Sequence, residues 1–163
     1  MPSAQQDSIL GGGQANSLSF EHAMRGPGQT VEQAEGQYND FVSGTEEAAQ
    51  NAQVQFWLNN PDSTELSDEA LARFAMVLHA VVDSTSPAHA GFQLWDWRNP
   101  SLVWRHHRAE KTITPQQRQA AVSAAQNAFS NTFGIFGSPF FQISKSKPKE
   151  HVTHKICINK VCD

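Results

Sequence analysis

Apolar residues recur at three- and four-residue steps along most of the chain, and this period predicts α-helices. A short helix is expected over residues 17–25. A long helix follows, with Thr30 in a position to cap its start. Residues 43–44, Ser-Gly, allow a break within the long helix, and the Asn-Asn-Pro at 59–61 ends it.

The same period predicts three further helices. Ser67 caps the first of them, its buried stripe covers residues 71–82, and Pro87 interrupts the pattern. The second covers residues 102–110. The third begins at Thr114-Pro115, a capping residue followed by a proline at the first helical position, and ends near residue 133.

The period changes after residue 137, where segments 140–143 and 154–158 are typical of short strands or an extended tail. Residues 1–16 are rich in Gly, Ser, Gln and Asn and predict a flexible leader. The fold is therefore predicted to be mostly α. A single multi-helix domain is expected over residues 17–163, with a small extended or β-hairpin C-terminal appendage.

Composition narrows the function. The length of 163 residues fits one domain, and the net charge of −4 weighs against a dedicated nucleic-acid binder, despite five lysines between residues 145 and 160. No run approaches the about 18 apolar residues of a membrane span, and the N-terminus lacks the features of a secretory signal. Cys157 and Cys162 are either bridged or two free thiols.

Candidate metal ligands fall at helical spacings. His79 and Asp83 are four residues apart on one predicted helix, and so are His106 and Glu110 on another, so each pair shares a helix face. His89 follows the Ser-Pro at 86–87, a turn that can point its ring back toward the first pair. Three histidines and two carboxylates so arranged predict a two-metal cup.

The pattern H-x3-D-x5-H followed by H-x3-E resembles the zinc-dependent phospholipase C and S1/P1 nuclease superfamily. The resemblance implies a mostly helical fold and up to three zinc ions in one cleft. It implies that one ion is held by His89, His106 and Glu110. A neighbouring ion would be held by His79 and Asp83, and a third by Asp83 with His22. The Glu at position 110 is closer to the phospholipase C branch.

Two features of that superfamily are absent here, its metal-binding N-terminal Trp and a His between His22 and His79. The expected zinc content is therefore one to three ions, with one or two favoured. Asp40 is preferred over Asp62 as the family's additional carboxylate and as a general base, so the expected catalytic residues are Asp83, Asp40 and Glu110. At least two of the three tryptophans at 95, 97 and 104 are expected to pack in the core; the alternative is that they line an apolar or choline-binding wall of the site.

A second resemblance covers about residues 18–110. The segments EHAMRGPGQTVEQAEG and LHAVVDSTSPAHAGFQLW are similar to toxin domains at the C-terminal ends of bacterial Rhs and related polymorphic toxin proteins. The resemblance implies a larger Rhs carrier, delivery into a rival bacterial cell by a secretion system such as type VI, and a cognate immunity protein.

The leading hypothesis is a zinc-dependent phosphodiester hydrolase of the phospholipase C type, acting on a phospholipid or another phosphodiester as an antibacterial effector. One alternative is a nuclease that uses the same metals, which the acidic charge disfavours. The other is a non-enzymatic binding or membrane-disrupting module in which zinc is structural.

Overall fold

The computed structural model describes residues 15–134. The chain forms a 3₁₀ helix at Asn16–His22 and then four α-helices: α1 (Val31–Asn59), α2 (Asp68–Asp83), α3 (Pro100–Glu110) and α4 (Pro115–Phe133). The predicted mostly α fold is confirmed. The predicted C-terminal appendage, with Cys157 and Cys162, and most of the predicted leader lie outside the described residues.

Side-chain caps fix the starts of the helices. Thr30 at α1 and Thr114 at α4 each form a capping box. The threonine side chain accepts a hydrogen bond from the backbone N–H of the glutamine three residues later, and the side chain of that glutamine accepts one from the backbone N–H of the threonine. The Ser67 side chain accepts from the Ala70 N–H at α2. Asn99 caps α3, where Pro100 follows as the first helical residue.

The break allowed at residues 43–44 does not occur, because α1 is continuous from Val31 to Asn59. The Ser43 hydroxyl donates to the Asn39 carbonyl at 2.8 Å, so it bonds within the helix instead of interrupting it. Gly44 is exposed and costs the helix about 1 kcal/mol relative to alanine, which the length of α1 and its packing offset.

The hydrophobic core lies among α1, α2 and α4. Phe74 of α2 makes edge contacts with Phe129 and Phe133 of α4, with ring centroids 5.4 Å apart in both pairs. Ala49 of α1 and Val77 of α2 are completely buried in the same cluster. In contrast, α3 has no buried residue and lies outside this three-helix core.

Within residues 15–134, no helix has the length and apolar character needed to cross a bilayer.

Gln53 ties α1 to the start of α2. Its buried side chain accepts from the Ser67 N–H at 2.8 Å and donates to the Glu65 carbonyl at 3.0 Å. Both partners are backbone groups of the segment that leads into α2, so this one amide satisfies polar groups that would otherwise lack a bond in the interior.

We expect Gln53→Ala to lower the free energy of unfolding by about 1–3 kcal/mol, because it leaves the Ser67 N–H without that acceptor. Urea denaturation followed by circular dichroism measures the change. Gln55→Ala, an exposed glutamine two residues away, is the matched control and should stay within about 0.5 kcal/mol of wild type. Equal effects of the two substitutions would contradict this role for Gln53.

Candidate metal centre

Six histidine and carboxylate side chains converge beside the C-terminal end of α2. They form two groups of three whose ligand atoms all lie within 4.8 Å of one another: His22, His79 and Asp83, and His89, His106 and Glu110. The groups draw on the 3₁₀ helix, α2, the turn after α2, and α3. Each group could hold a metal ion.

The first group has the size of one face of a zinc coordination tetrahedron. Asp83 Oδ2 lies 3.0 Å from His22 Nδ1 and 3.1 Å from His79 Nε2, and the two ring nitrogens are 3.1 Å apart. Zinc bonds of about 2.0–2.1 Å give a tetrahedral edge of about 3.3 Å. The near-equal separations therefore leave room for an ion just above the plane of the three atoms.

The second group is built around Glu110. Its Oε1 lies 3.2 Å from His106 Nε2 and 3.4 Å from His89 Nε2, again close to the edge of a zinc tetrahedron. The rings of His89 and His106 meet edge to face, with centroids 4.7 Å apart. Trp95 closes one side, with its ring 4.9 Å from that of His106.

His89 joins the two groups. Its Nδ1–H donates to the backbone carbonyl of His22, and the same nitrogen lies 4.0 Å from Asp83 Oδ2. With the proton of the neutral ring on Nδ1, the Nε2 lone pair would be available to an ion held beside Glu110. Hydrogen bonds of this kind set the tautomer and orientation of metal-binding histidines.

Local sequence explains how α2 and the following turn present their ligands. His79 and Asp83 share a face of α2 by their four-residue spacing. The helix ends at Asp83, and Ser86 then shapes the turn: its hydroxyl accepts from the Ala88 N–H and its carbonyl accepts from the His89 N–H. The Ser-Pro turn thus directs His89 back toward α2, as the sequence predicted.

His22 is positioned by contacts that are distant in sequence. Ala23, with φ of 51°, ends the 3₁₀ helix in the left-handed region and turns the chain. Arg25 then pairs with the segment at Leu94: its N–H donates to the Gln93 carbonyl, and its carbonyl accepts from the Trp95 N–H. This short parallel bridge fastens the N-terminal segment to the loop before α3.

The surroundings of Asp83 and Glu110 lower the pKa of both carboxyl groups and so favour their ionised form. Burial opposes the charge on Asp83, but hydrogen bonds from His22 and His79 outweigh it and lower the pKa of Asp83 from 3.8 to about 2. Hydrogen bonds with His106 and His89 hold the pKa of Glu110 well below its ordinary value. Burial disfavours the imidazolium of His89, but Glu110 and Asp83 outweigh it and raise the pKa of His89.

Cavities lined by described residues lie at both ends of the ligand cluster. A cavity of about 300 Å³ beside His106 is lined by Arg25 and Arg105 together with apolar side chains that include Leu94 and Leu102. A more open groove of about 500 Å³ beside His79 lies between α2 and α4, with small apolar side chains along it and Arg118 at its edge.

The structure brings together all six predicted metal ligands. It does not bring in Asp40, which is exposed on α1 and outside both groups. His107 is 69% exposed. The expectation that at least two of the three tryptophans pack in the core is wrong: Trp95 is buried, but Trp97 and Trp104 are 45% and 63% exposed.

Arg25 and Arg105 were not predicted from sequence. Arg105 directly precedes His106 on α3, and this adjacency is a weak signal because neighbouring residues face different sides of a helix. Nothing in the sequence pattern marks Arg25, which reaches the cavity through its bridge to Leu94.

Comparison of the chain with protein-family models, with curated proteins and with solved structures gave no match. The resemblances to zinc-dependent phospholipases C and to Rhs toxin domains therefore remain predictions based on the motif residues.

The lowered pKa of Asp83 predicts how the metal-free protein responds to acid. A depressed carboxylate contributes stability that is present above its unfolded pKa, near 3.8, and is lost as pH falls through about 2. A shift of this size corresponds to about 2 kcal/mol. Asp83→Asn should therefore remove about that much of the acid-dependent loss of stability, measured by urea denaturation between pH 5 and pH 2.

Asp62→Asn, in the exposed loop before α2, controls for the loss of one negative charge. If wild type and Asp83→Asn lost stability in parallel over this range, Asp83 would not be stabilised by the two histidines in the metal-free protein.

Proposed function

We propose that this chain is a zinc-dependent phosphodiester hydrolase similar to the phospholipases C. The observation that supports it best is the pair of ligand groups placed side by side, with Asp83 Oδ2 4.0 Å from His89 Nδ1, next to a cavity that contains two arginines. Paired metal sites with a cationic neighbour are suited to phosphoryl groups, because the negative charge grows there during hydrolysis.

Zinc is the metal that the ligand chemistry favours. Each group contains two imidazoles and one carboxylate, and imidazole-rich sets with a carboxylate suit zinc better than calcium or magnesium, which prefer oxygen ligands. The separations of 3.0–3.4 Å within the groups match the compact tetrahedral geometry of zinc.

An open coordination position separates a catalytic zinc site from a structural one, which has four protein ligands. Within residues 15–134, each group has three ligands, which leaves a position for water or substrate. Glu110 is 42% exposed and Asp83 21% exposed, so solvent can reach both groups from the side of their carboxylates. These features favour catalysis over the alternative of a structural zinc.

Bound zinc supplies Lewis-acid chemistry, which makes water a better nucleophile near neutral pH and draws charge from a phosphoryl group. The residues of the chain prepare the site for it. Asp83 and Glu110 are ionised at neutral pH, and the carbonyl of His22 holds the His89 ring in place. Arg25 and Arg105 stabilise negative charge on the substrate. Asp40 has no part in this proposal, since it lies outside both groups.

The resemblance to Rhs toxin domains extends the proposal to a biological setting. The chain would act as an antibacterial effector that is carried by a larger Rhs protein, delivered into a rival cell by a secretion system, and neutralised by a cognate immunity protein. Co-expression with the immunity protein would then relieve growth inhibition by the domain.

We expect the purified wild-type chain to bind about two zinc ions, one in each ligand group. His106→Ala should lose about one of them, whereas His107→Ala should keep both, because His107 is the exposed neighbour outside the groups. Elemental analysis after dialysis against metal-free buffer measures the content. Loss of zinc to the same extent in both variants, or no zinc in wild type, would argue against the assignment.

We expect zinc-dependent hydrolysis of bis(p-nitrophenyl) phosphate, a generic phosphodiester, that a chelator abolishes and added zinc restores. Glu110→Gln should reduce the rate at least tenfold, because it removes a charged ligand of the second group. Far-UV circular dichroism of the variant should be unchanged. A variant that unfolds with its zinc lost would instead indicate a structural role for the metal.

A further inference from the structure

Helix α3 has an outer face of cationic and aromatic side chains. At 100° per residue, three residues of α3 and the lysine that caps its C-terminal end fall within about 120° of one another. All four are exposed, and they are Trp104, Arg105, Arg108 and Lys111. Leu102, His106 and Ala109 lie on the other side of the helix and line the cavity. Arg105, about 40° from Ala109 around the helix, lies at the boundary between the two sides and lines the cavity as well.

Trp104 of the outer face and Trp97 in the loop before α3 are both exposed, and each has an arginine against its ring. The guanidinium of Arg108 lies 5.2 Å from the ring centre of Trp104, and that of Arg98 lies 5.2 Å from the ring centre of Trp97. Indole rings with nearby cations are typical of protein surfaces at the boundary between water and lipid headgroups. The exposed fractions of 45% for Trp97 and 63% for Trp104 leave both rings accessible.

The local charge is opposite to that of the chain. Residues 94–111 contain four arginines or lysines and two carboxylates, although the whole sequence has a net charge of −4. Both carboxylates have partners: Asp96 accepts from Asn16, and Glu110 contacts His89 and His106. The cations of the outer face are therefore available to an anionic surface.

We propose that the outer face of α3, together with Trp97 and Arg98, docks on a bilayer that contains anionic phospholipid. The cavity with Arg25 and Arg105 then receives an anionic headgroup beside His106. Arg105 belongs to both features, since it lies on the outer face and lines the cavity. Cleavage of the bound lipid rests on the proposed function, whereas docking requires neither zinc nor turnover.

The lining of the cavity favours a lipid over a nucleic acid. Among residues 15–134, five of those that line it are apolar, and one side-chain amide, that of Gln93, faces it. A nucleotide base is recognised through several hydrogen bonds to its edges or by stacking within the site, whereas an anionic headgroup needs cations and an apolar wall next to them. The apolar groove beside His79 extends this character to the other end of the cluster.

Co-sedimentation with vesicles tests the docking. We expect the metal-free and the zinc-loaded chain to bind vesicles of two parts phosphatidylcholine and one part phosphatidylglycerol at least tenfold more tightly than pure phosphatidylcholine vesicles. Binding should weaken as salt is raised. The tryptophan fluorescence should shift to shorter wavelength on binding.

Single substitutions locate the surface. Arg108→Gln should weaken binding to the anionic vesicles by about fivefold, the value of one cation at such a surface, and Trp104→Ala should weaken it and reduce the fluorescence shift. The matched controls are Arg73→Gln on α2, an exposed arginine paired with Glu69, and Leu58→Ala on α1, which is 70% exposed. Both should bind like wild type.

Equal binding to the two kinds of vesicle, or no binding to either, would overturn the docking inference. Tighter binding to single-stranded RNA, lost in Arg108→Gln and Trp104→Ala, would overturn it in favour of a nucleic-acid surface. The hydrolase proposal is judged separately. A chain that cleaves bis(p-nitrophenyl) phosphate but ignores vesicles refutes only the docking, and one that binds vesicles without zinc or hydrolysis refutes only the hydrolase.

Discussion

The carboxylate of Asp83 joins three segments of the chain: the 3₁₀ helix, α2 and the turn that follows α2. It contacts His22 of the 3₁₀ helix and His79 of α2 at 3.0 and 3.1 Å, and it lies 4.0 Å from His89 of the following turn. A charged group at the end of a helix, largely shielded from water, is stable only with such partners. Its need for them determines where the N-terminal segment and the turn after α2 can lie.

The described part of the chain consists of a packed core of three helices and a peripheral helix, α3. Helices α1, α2 and α4 share the aromatic and aliphatic core, whereas α3 has no buried residue. The ligand cluster lies where the two parts meet: α2 supplies His79 and Asp83, and α3 supplies His106 and Glu110. The packed part therefore holds one ligand group in place, and the position of α3 sets the geometry of the other.

The helices could be predicted from sequence because their signals are local. The caps at Thr30, Ser67 and Thr114 and the apolar period located α1, α2 and α4 closely. The helix does not break at residues 43–44, where the sequence allowed it. A Ser-Gly pair lowers the stability of a helix only modestly, and the packing of a long helix outweighs that loss.

The site was predictable in part. The four-residue spacings and the Ser-Pro turn predicted that the pairs on α2 and α3 and His89 could share a site. The place of His22 came only from family resemblance, since its contact with Asp83 spans 61 residues. Exposure of Trp97 and Trp104 could not be read from composition, because an indole suits both a core and a surface. Arg25 reaches its cavity through a backbone bridge that has no sequence signature.

The distance along the chain between His22 and Asp83 has a consequence for how the protein is assembled. An ion held by these two residues would act as a cross-link that closes a loop of 61 residues, and a loop of that length has many conformations to lose. Such a clamp narrows the unfolded ensemble much as a disulfide does, without needing an oxidising compartment. Availability of the ion in the surroundings would then decide how much is added to the backbone bridge at Arg25 in holding the N-terminal segment to the rest of the molecule.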